Sequence, residues 1–286
     1  MERNFLIAVS EQKKALLGVR FVGNFFSDKQ DIKSTLFYSA PKSDVFWANQ
    51  TSAEPFSRQK EQMDKILAGG KAALEIAKKE CINLGFLPEN LSLKQQTQVF
   101  STVVDIIQEG KNGKYDAVVL GRRGLSMLGE AFEENISKDL FNMKFTFPIW
   151  LCRSANPVKK NVLLYIDGSE TSFRMADHVG FVLSLEKKHR LDILIADKTA
   201  DAASIMERCR SILLENGFPE ALIRLRTTTL ENAASAILDA VDKEPYAAVA
   251  LGRSGQKSNP LLRLFKGPVC SILFKELTDT SLWICH

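Results

Sequence analysis

The sequence predicts an α/β protein made of two tandem doubly wound units, each a five-stranded parallel sheet. Three observations carry this expectation: a decapeptide that recurs, two further landmarks that recur in the same order, and apolar runs that alternate with helical spacing. Residues 115–124, Tyr-Asp-Ala-Val-Val-Leu-Gly-Arg-Arg-Gly, align with residues 246–255, Tyr-Ala-Ala-Val-Ala-Leu-Gly-Arg-Ser-Gly, with seven identities in ten at an offset of 131. Upstream, residues 4–9 align with 161–166 at an offset of 157, and downstream 148–152 align with 281–285 at an offset of 133. The first copy therefore holds about 26 extra residues between its first strand and its Gly-Arg-x-Gly turn, in and before its second helix.

Each element follows from local pattern. Phe5–Val9 and Val162–Ile166 are apolar without alternation, as suits a strand buried on both faces of a parallel sheet. Helical spacing comes next, through Leu16, Leu17, Val19 and Val22 in one copy and Phe173, Ala176, Val179, Gly180 and Leu183 in the other. Second strands are expected at Leu36–Tyr38 and Leu191–Ala196. A long helix is expected over Ser57–Leu84, bent at Gly69-Gly70, and a shorter one over Ala202–Asn216. Third strands at Leu91–Gln96 and Leu222–Thr227 follow, and the alternation of Leu222, Arg224 and Arg226 with Ile223 and Leu225 suits a sheet edge. Helices over Val99–Glu109 and Ala233–Val241 lead into the Ala-Val-rich strands and the Gly turns. The order βαβαβαβαβ implies right-handed crossovers with helices on both faces. Ser154–Lys160 is polar and contains a proline, so it reads as a linker between units at 1–153 and 161–286, each long enough to bury a core of its own.

Composition narrows the function classes. The hydrophobic fraction of 45% and charged fraction of 25% are those of a soluble globular protein. The net charge of +4 comes from 38 basic and 34 acidic residues with no basic stripe, which argues against nucleic acid as a partner. No apolar run is long enough for a signal-peptide core or a membrane span, so a cytoplasmic protein without membrane association is expected. The five cysteines form no Cys-x-x-Cys pair and sit in apolar segments, as reduced core thiols do. His178, His189 and His286 make no ligand cluster, so no metal is expected.

The residues that carry chemistry gather at the carboxyl ends of the strands, where ligands bind in open α/β sheets. Glycines let the backbone turn its N–H groups onto phosphate oxygens, and a helix start adds the positive end of its dipole. An Asp at a neighbouring strand end can accept from ribose hydroxyls or the adenine amino group. In copy one, Gly121-Arg122-Arg123-Gly124 ends its strand. In copy two, Gly252-Arg253-Ser254-Gly255 does so beside Asp167-Gly168-Ser169. In these residues and their order the chain resembles the universal stress protein family, as two family domains in tandem over nearly its whole length.

The resemblance implies an adenine nucleotide alpha hydrolase-like fold and a site for ATP or another adenine nucleotide, with or without Mg. It also implies a pseudo-twofold relation in which Pro148–Cys152 pairs antiparallel with Ser281–Cys285 within one chain. Copy one departs from the family pattern, with Ser10 at the acid position and Glu134-Asn135 at the third glycine and its hydroxyl partner. Copy two keeps more of it. The expected nucleotide-binding residues are Asp167, Gly168, Ser169, Ala196, Gly252, Gly255 and Gly267, although Pro268 stands where the pattern has a hydroxyl. A stress-response protein that binds nucleotide in its C-terminal unit only, without a catalytic step, is therefore expected; slow ATP hydrolysis stays open. The alternative is a protein-interaction module in which both sites are degenerate. Two further plain readings stand beside these: Asp167 and Ser169 as helix caps, and the glycines as tight turns needing positive φ. For Trp150 and Trp283, packing in the core or at an interface is expected.

Overall fold

The computed structural model describes residues 2–11, 16–41, 56–121, 147–199, 201–252 and 268–285. Its strands are β1 (Arg3–Ala8), β2 (Ile32–Ala40), β3 (Leu91–Thr97), β4 (Ala117–Leu120), β5 (Ile149–Leu151), β6 (Val162–Tyr165), β7 (Leu191–Ala196), β8 (Ile223–Thr228), β9 (Ala248–Gly252) and β10 (Ser281–Cys285). The described helices are α1 (Leu17–Phe25), α2 (Phe56–Asn83), α3 (Thr102–Asn112), α4 (Glu170–Leu183), α5 (Ala202–Glu215), α6 (Ala233–Lys243) and α7 (Pro268–Glu276). Side-chain caps start three of them. Ser101, Ser169 and Asn232 accept from the backbone N–H of Val104, Ser172 and Ser235, which satisfies donors that a first turn leaves open.

All ten strands form one sheet in the order β3-β2-β1-β4-β5-β10-β9-β6-β7-β8. Within each half the pairing is parallel, and the order reads the same from either end. The halves meet where β10 pairs antiparallel with β5, Trp283 opposite Trp150. As expected, β3 and β8 are the edges. The first copy's extra length falls partly in α2, which runs 28 residues where α5 runs 14. Gly69 and Gly70 lie inside that continuous helix.

Period-2 alternation explains the apolar runs. Phe5 and Ile7 point into one layer with α1 and α2, while Leu6 points into the other with α3. Val162, Leu164 and Leu163 do the same in the second half. Each layer runs unbroken through both halves, so the core is shared across the seam, although each half is long enough to bury a core of its own. Sequence cannot reveal this, because apolar positions mark what is buried and not what buries it.

The seam itself is aromatic. Directly opposed on neighbouring strands, Trp150 and Trp283 stack with centroids 3.9 Å apart and planes within 5°. Phe5, Phe21 and Phe25 surround them. The indole N–H of Trp150 donates to His178 Nε2 at 3.0 Å. Phe21 occupies the repeat position equivalent to His178, and the buried Trp283 Nε1 has no hydrogen-bond partner among the described residues. Beyond the strands, α1 reaches the other half: His189 Nε2 lies 2.8 Å from the Phe25 carbonyl, and Glu186 accepts from the Ser27 N–H at 3.2 Å.

Candidate functional site

In each half the chain reverses its direction of sheet growth between the first strand and the fourth, which places a crevice at the carboxyl ends of β1 and β4 and of β6 and β9. In the second half β6 runs out at Tyr165, opposite Leu251 of β9, and the chain turns through Asp167-Gly168-Ser169 into α4. Gly168 holds a φ of +82°, a conformation open to glycine at little cost. Asp167 Oδ1 organises this turn by accepting from the Ser169 N–H at 2.9 Å and from Ser169 Oγ at 2.6 Å. Ser169 Oγ in turn accepts from the Ser172 N–H at 3.2 Å. Capping is thus a structural role that Ser169 does fill. Asp167 is exposed, and its Oδ2 carries no hydrogen bond among the described residues.

Gly252 ends β9 against the first turn of α4. A Cβ there would lie 2.1 Å from the Thr171 carbonyl carbon and 2.2 Å from the Ser172 nitrogen, so only glycine lets strand and helix start approach so closely. Its φ is not positive, which corrects the reading of this glycine as a left-handed turn residue. Ala196, at the end of β7, accepts from the Thr199 N–H at 3.0 Å, so its carbonyl is already engaged in a turn. The structure therefore brings Asp167, Gly168, Ser169 and Gly252 around the N-terminus of α4, with Ala196 one strand away. Gly255 and Gly267, like Arg122, Arg123, Gly124, Arg253 and Glu134, lie outside the described residues.

The first half builds a different crevice. Ser10 stands at the acid position with its hydroxyl buried and unpaired among the described residues. Next to it the Glu11 carboxylate accepts from the Tyr38 hydroxyl at the end of β2. Helix α2 closes over this pair, and its two glycines make room. A Cβ on Gly69 would come within 3.4 Å of the Glu11 carboxylate, and one on Gly70 within 2.5 Å of the Tyr38 ring. The Gly-Gly pair therefore lets the helix lie close against Glu11 and Tyr38. Glu11 and Tyr38 were not singled out in the sequence, because nothing in a one-dimensional pattern links positions 27 apart.

A second polar cluster escaped sequence reading for the same reason. Asp192, fully buried on β7, accepts from Tyr246 Oη at 2.5 Å, Arg190 Nε at 2.8 Å and Arg224 Nη2 at 2.8 Å. Arg226 joins through Glu244 and Tyr246. Burial, followed by the bond to Asp192, pushes the Tyr246 hydroxyl up to about 12. The alternating arginines of β8 thus neutralise a buried acid. Burial also pushes the Cys81 and Cys209 thiols up to about 12, and Cys152 higher still, which keeps these thiols protonated. Among the described residues no group of three His, Cys, Asp or Glu could hold a metal ion, and no helix is long and apolar enough to cross a membrane.

No protein-family model and no curated protein matches the sequence. Solved structures do. A universal stress protein from Archaeoglobus fulgidus DSM 4304 superposes with a TM-score of 0.66 over 99% of this chain and 95% of its own, at 12% identity. The chain has the universal stress protein fold. A candidate universal stress protein from Pseudomonas aeruginosa UCBPP-PA14 matches over 99% of this chain and 93% of its own, with a TM-score of 0.54 and 13% identity. A shorter universal stress protein solved in complex with cAMP covers 44% of this chain and 95% of its own, with 21% identity and a TM-score of 0.37, too low for any comparison of sites. Both full-length matches span the two halves of the sheet, as the repeat demands.

Proposed function

We propose that this chain is a tandem universal stress protein of stress response whose C-terminal half, from residue 161, binds an adenine nucleotide such as ATP, while the half before residue 153 does not. One observation carries this reading: the two switch points are chemically opposite. At β6 an exposed Asp167 keeps one carboxylate oxygen for a ligand donor while the other fixes the turn. At β1 the equivalent place holds Ser10, and the neighbouring carboxylate of Glu11 is already bonded to Tyr38 under α2. A negative Glu11 in a crevice roofed by a helix opposes a triphosphate on both charge and space. Beside Asp167, by contrast, the first turn of α4 offers its dipole.

In this reading Asp167 accepts from ribose or the adenine amino group, and the turn that begins at Gly252 faces phosphate. The antiparallel β5–β10 pair replaces, inside one chain, the contact that two separate domains would make. Catalysis is not part of the proposal. Calorimetry with Mg-ATP on the intact chain and on Asp167→Ala tests it: heat is expected from the native protein and an affinity loss of about tenfold or more from the variant, the scale of one lost charge-assisted hydrogen bond. Absence of heat from the native protein would leave the interaction-module alternative standing.

A further inference from the structure

The two halves differ where α3 and α6 lie against their edge strands. Strand pairing sets Phe37 opposite Lys94 in the first half and Leu194 opposite Arg226 in the second. The helix caps Ser101 and Asn232 stand 131 residues apart, the same offset that relates Tyr115 to Tyr246. Position by position, Phe37, Asp105 and Glu109 are thus replaced by Leu194, Ala236 and Ala240. Three larger side chains give way to three smaller ones.

In the first half those side chains fill the flank. Phe37 is buried, Asp105 accepts from Ser39 Oγ at 2.9 Å and from the Val99 N–H at 3.0 Å, and Glu109 accepts from Lys94 Nζ at 2.6 Å and Tyr115 Oη at 3.0 Å. A carboxylate carried by the helix thus meets the cation of the edge strand. In the second half Leu194, Ala236 and Ala240 instead line a cavity of about 420 Å³ between α6, β7 and β8, a size usual for small-molecule sites. Every residue lining it is among those described.

Four charged residues line the cavity, Asp197, Arg226, Asp239 and Lys243. Arg226 spends only Nη1 on Asp192, Glu244 and Tyr246, so its Nε and Nη2 carry no hydrogen bond among the described residues. In that cluster three arginines, Arg190, Arg224 and Arg226, face two acids, Asp192 and Glu244, which leaves one positive charge unmatched. Arg226 brings it to the cavity wall. Lys243 Nζ and Asp239 Oδ2 pair with each other at 2.7 Å. Asp197, exposed just beyond β7, has a carboxylate with no hydrogen bond or ion pair among the described residues. One cation, one anion and an apolar floor are therefore left to a ligand.

We propose that this cavity binds a free aliphatic α-amino acid. Its carboxylate takes the Nε and Nη2 fork of Arg226, as Glu109 takes Lys94 in the first half, its ammonium pairs with Asp197, and its side chain covers Leu194, Ala236 and Ala240. A plain anion would face the Asp197 carboxylate and a plain cation the Arg226 guanidinium, whereas a zwitterion answers both. The inference is independent of nucleotide binding, since neither the Asp167 turn nor Gly252 lines the cavity.

The test is calorimetry on the full chain with L-leucine, with isocaproate, which lacks the ammonium, and with isoamylamine, which lacks the carboxylate. Leucine should bind about tenfold tighter or better than either analogue, because each loses one charge-assisted hydrogen bond. Ala240→Glu, which restores the carboxylate that Glu109 supplies in the first half, should abolish leucine binding. Asp197→Asn, changed at an exposed position, should weaken leucine about tenfold and leave isocaproate no weaker. Saturating Mg-ATP should leave the leucine affinity unaltered. No heat with leucine, an analogue that binds as tightly, a folded Ala240→Glu variant that still binds, or displacement by Mg-ATP would each overturn the proposal. Should Ala240→Glu fail to fold, Asp197→Asn decides: an unchanged leucine affinity there overturns the proposal equally.

Discussion

Acid should unfold this protein partly through one histidine, and the effect can be worked from the seam. His178 is 8% exposed and its Nε2 accepts from the Trp150 indole N–H, so the folded state needs the neutral imidazole. Burial lowers its pKa from 6.5 to about 3. The folded pKa lies below the unfolded one, so below pH 6.5 the unfolded chain takes up a proton that the folded chain refuses. The stability contributed by neutral His178 is complete above the unfolded value and is lost progressively as pH falls toward the folded one. Between pH ~7 and ~5 the loss amounts to about 2 kcal/mol, since the ~1.4 kcal/mol per pH unit applies only below the unfolded value of 6.5, about one and a half units of that window.

His178→Phe removes the titration and copies the residue that Phe21 already provides beside Trp283. At neutral pH the variant should be less stable by ~1–3 kcal/mol, because the Trp150 N–H loses its acceptor. By pH ~5 the gap between native protein and variant should shrink by about 2 kcal/mol. Urea unfolding followed by tryptophan fluorescence at the two pH values measures this, and every other titrating group, including the buried His189, cancels in the comparison. A gap that stays constant with pH would refute the reasoning.

Two further outcomes follow from packing. Gly252→Ala should destabilise the fold by ~3 kcal/mol, the upper end of the usual overpacking range, because the new methyl meets helix backbone and not a movable side-chain tip; thermal unfolding checks this, and a loss under ~1 kcal/mol would show that α4 shifts freely. Residues 161–286 expressed alone should not persist as a folded monomer, since both hydrophobic layers continue across the seam and β10 would become an exposed edge. Sedimentation should show self-association or aggregation, and a cooperative monomer would contradict a shared core.

Much of the architecture is legible in the chain because backbone periodicity and repeated landmarks are local. Phe5–Val9 and Val162–Ile166 announce buried strands, and Ser169 ahead of an amphipathic run announces a helix start that the structure places there. The Asp167 turn was legible for the same reason, since its bonds join residues two apart. Gly252 was legible as a special glycine, but its cause was not. The demand comes from the backbone of Thr171 and Ser172 on another element, and a motif cannot display a close approach.

By itself, then, the sequence determined the α/β class, the duplication, the succession of strands and helices along each copy and the different residues, Ser10 and Asp167, that follow the two first strands, all of which are read from short local patterns. Only the tertiary structure decided the spatial order of the strands, that the two halves share their hydrophobic layers, that α2 roofs the first crevice through Gly69 and Gly70, and that Trp150 and Trp283 stack at the seam. Those features depend on which surfaces meet. Burial and charge pairing act through space, between elements that the chain order leaves far apart.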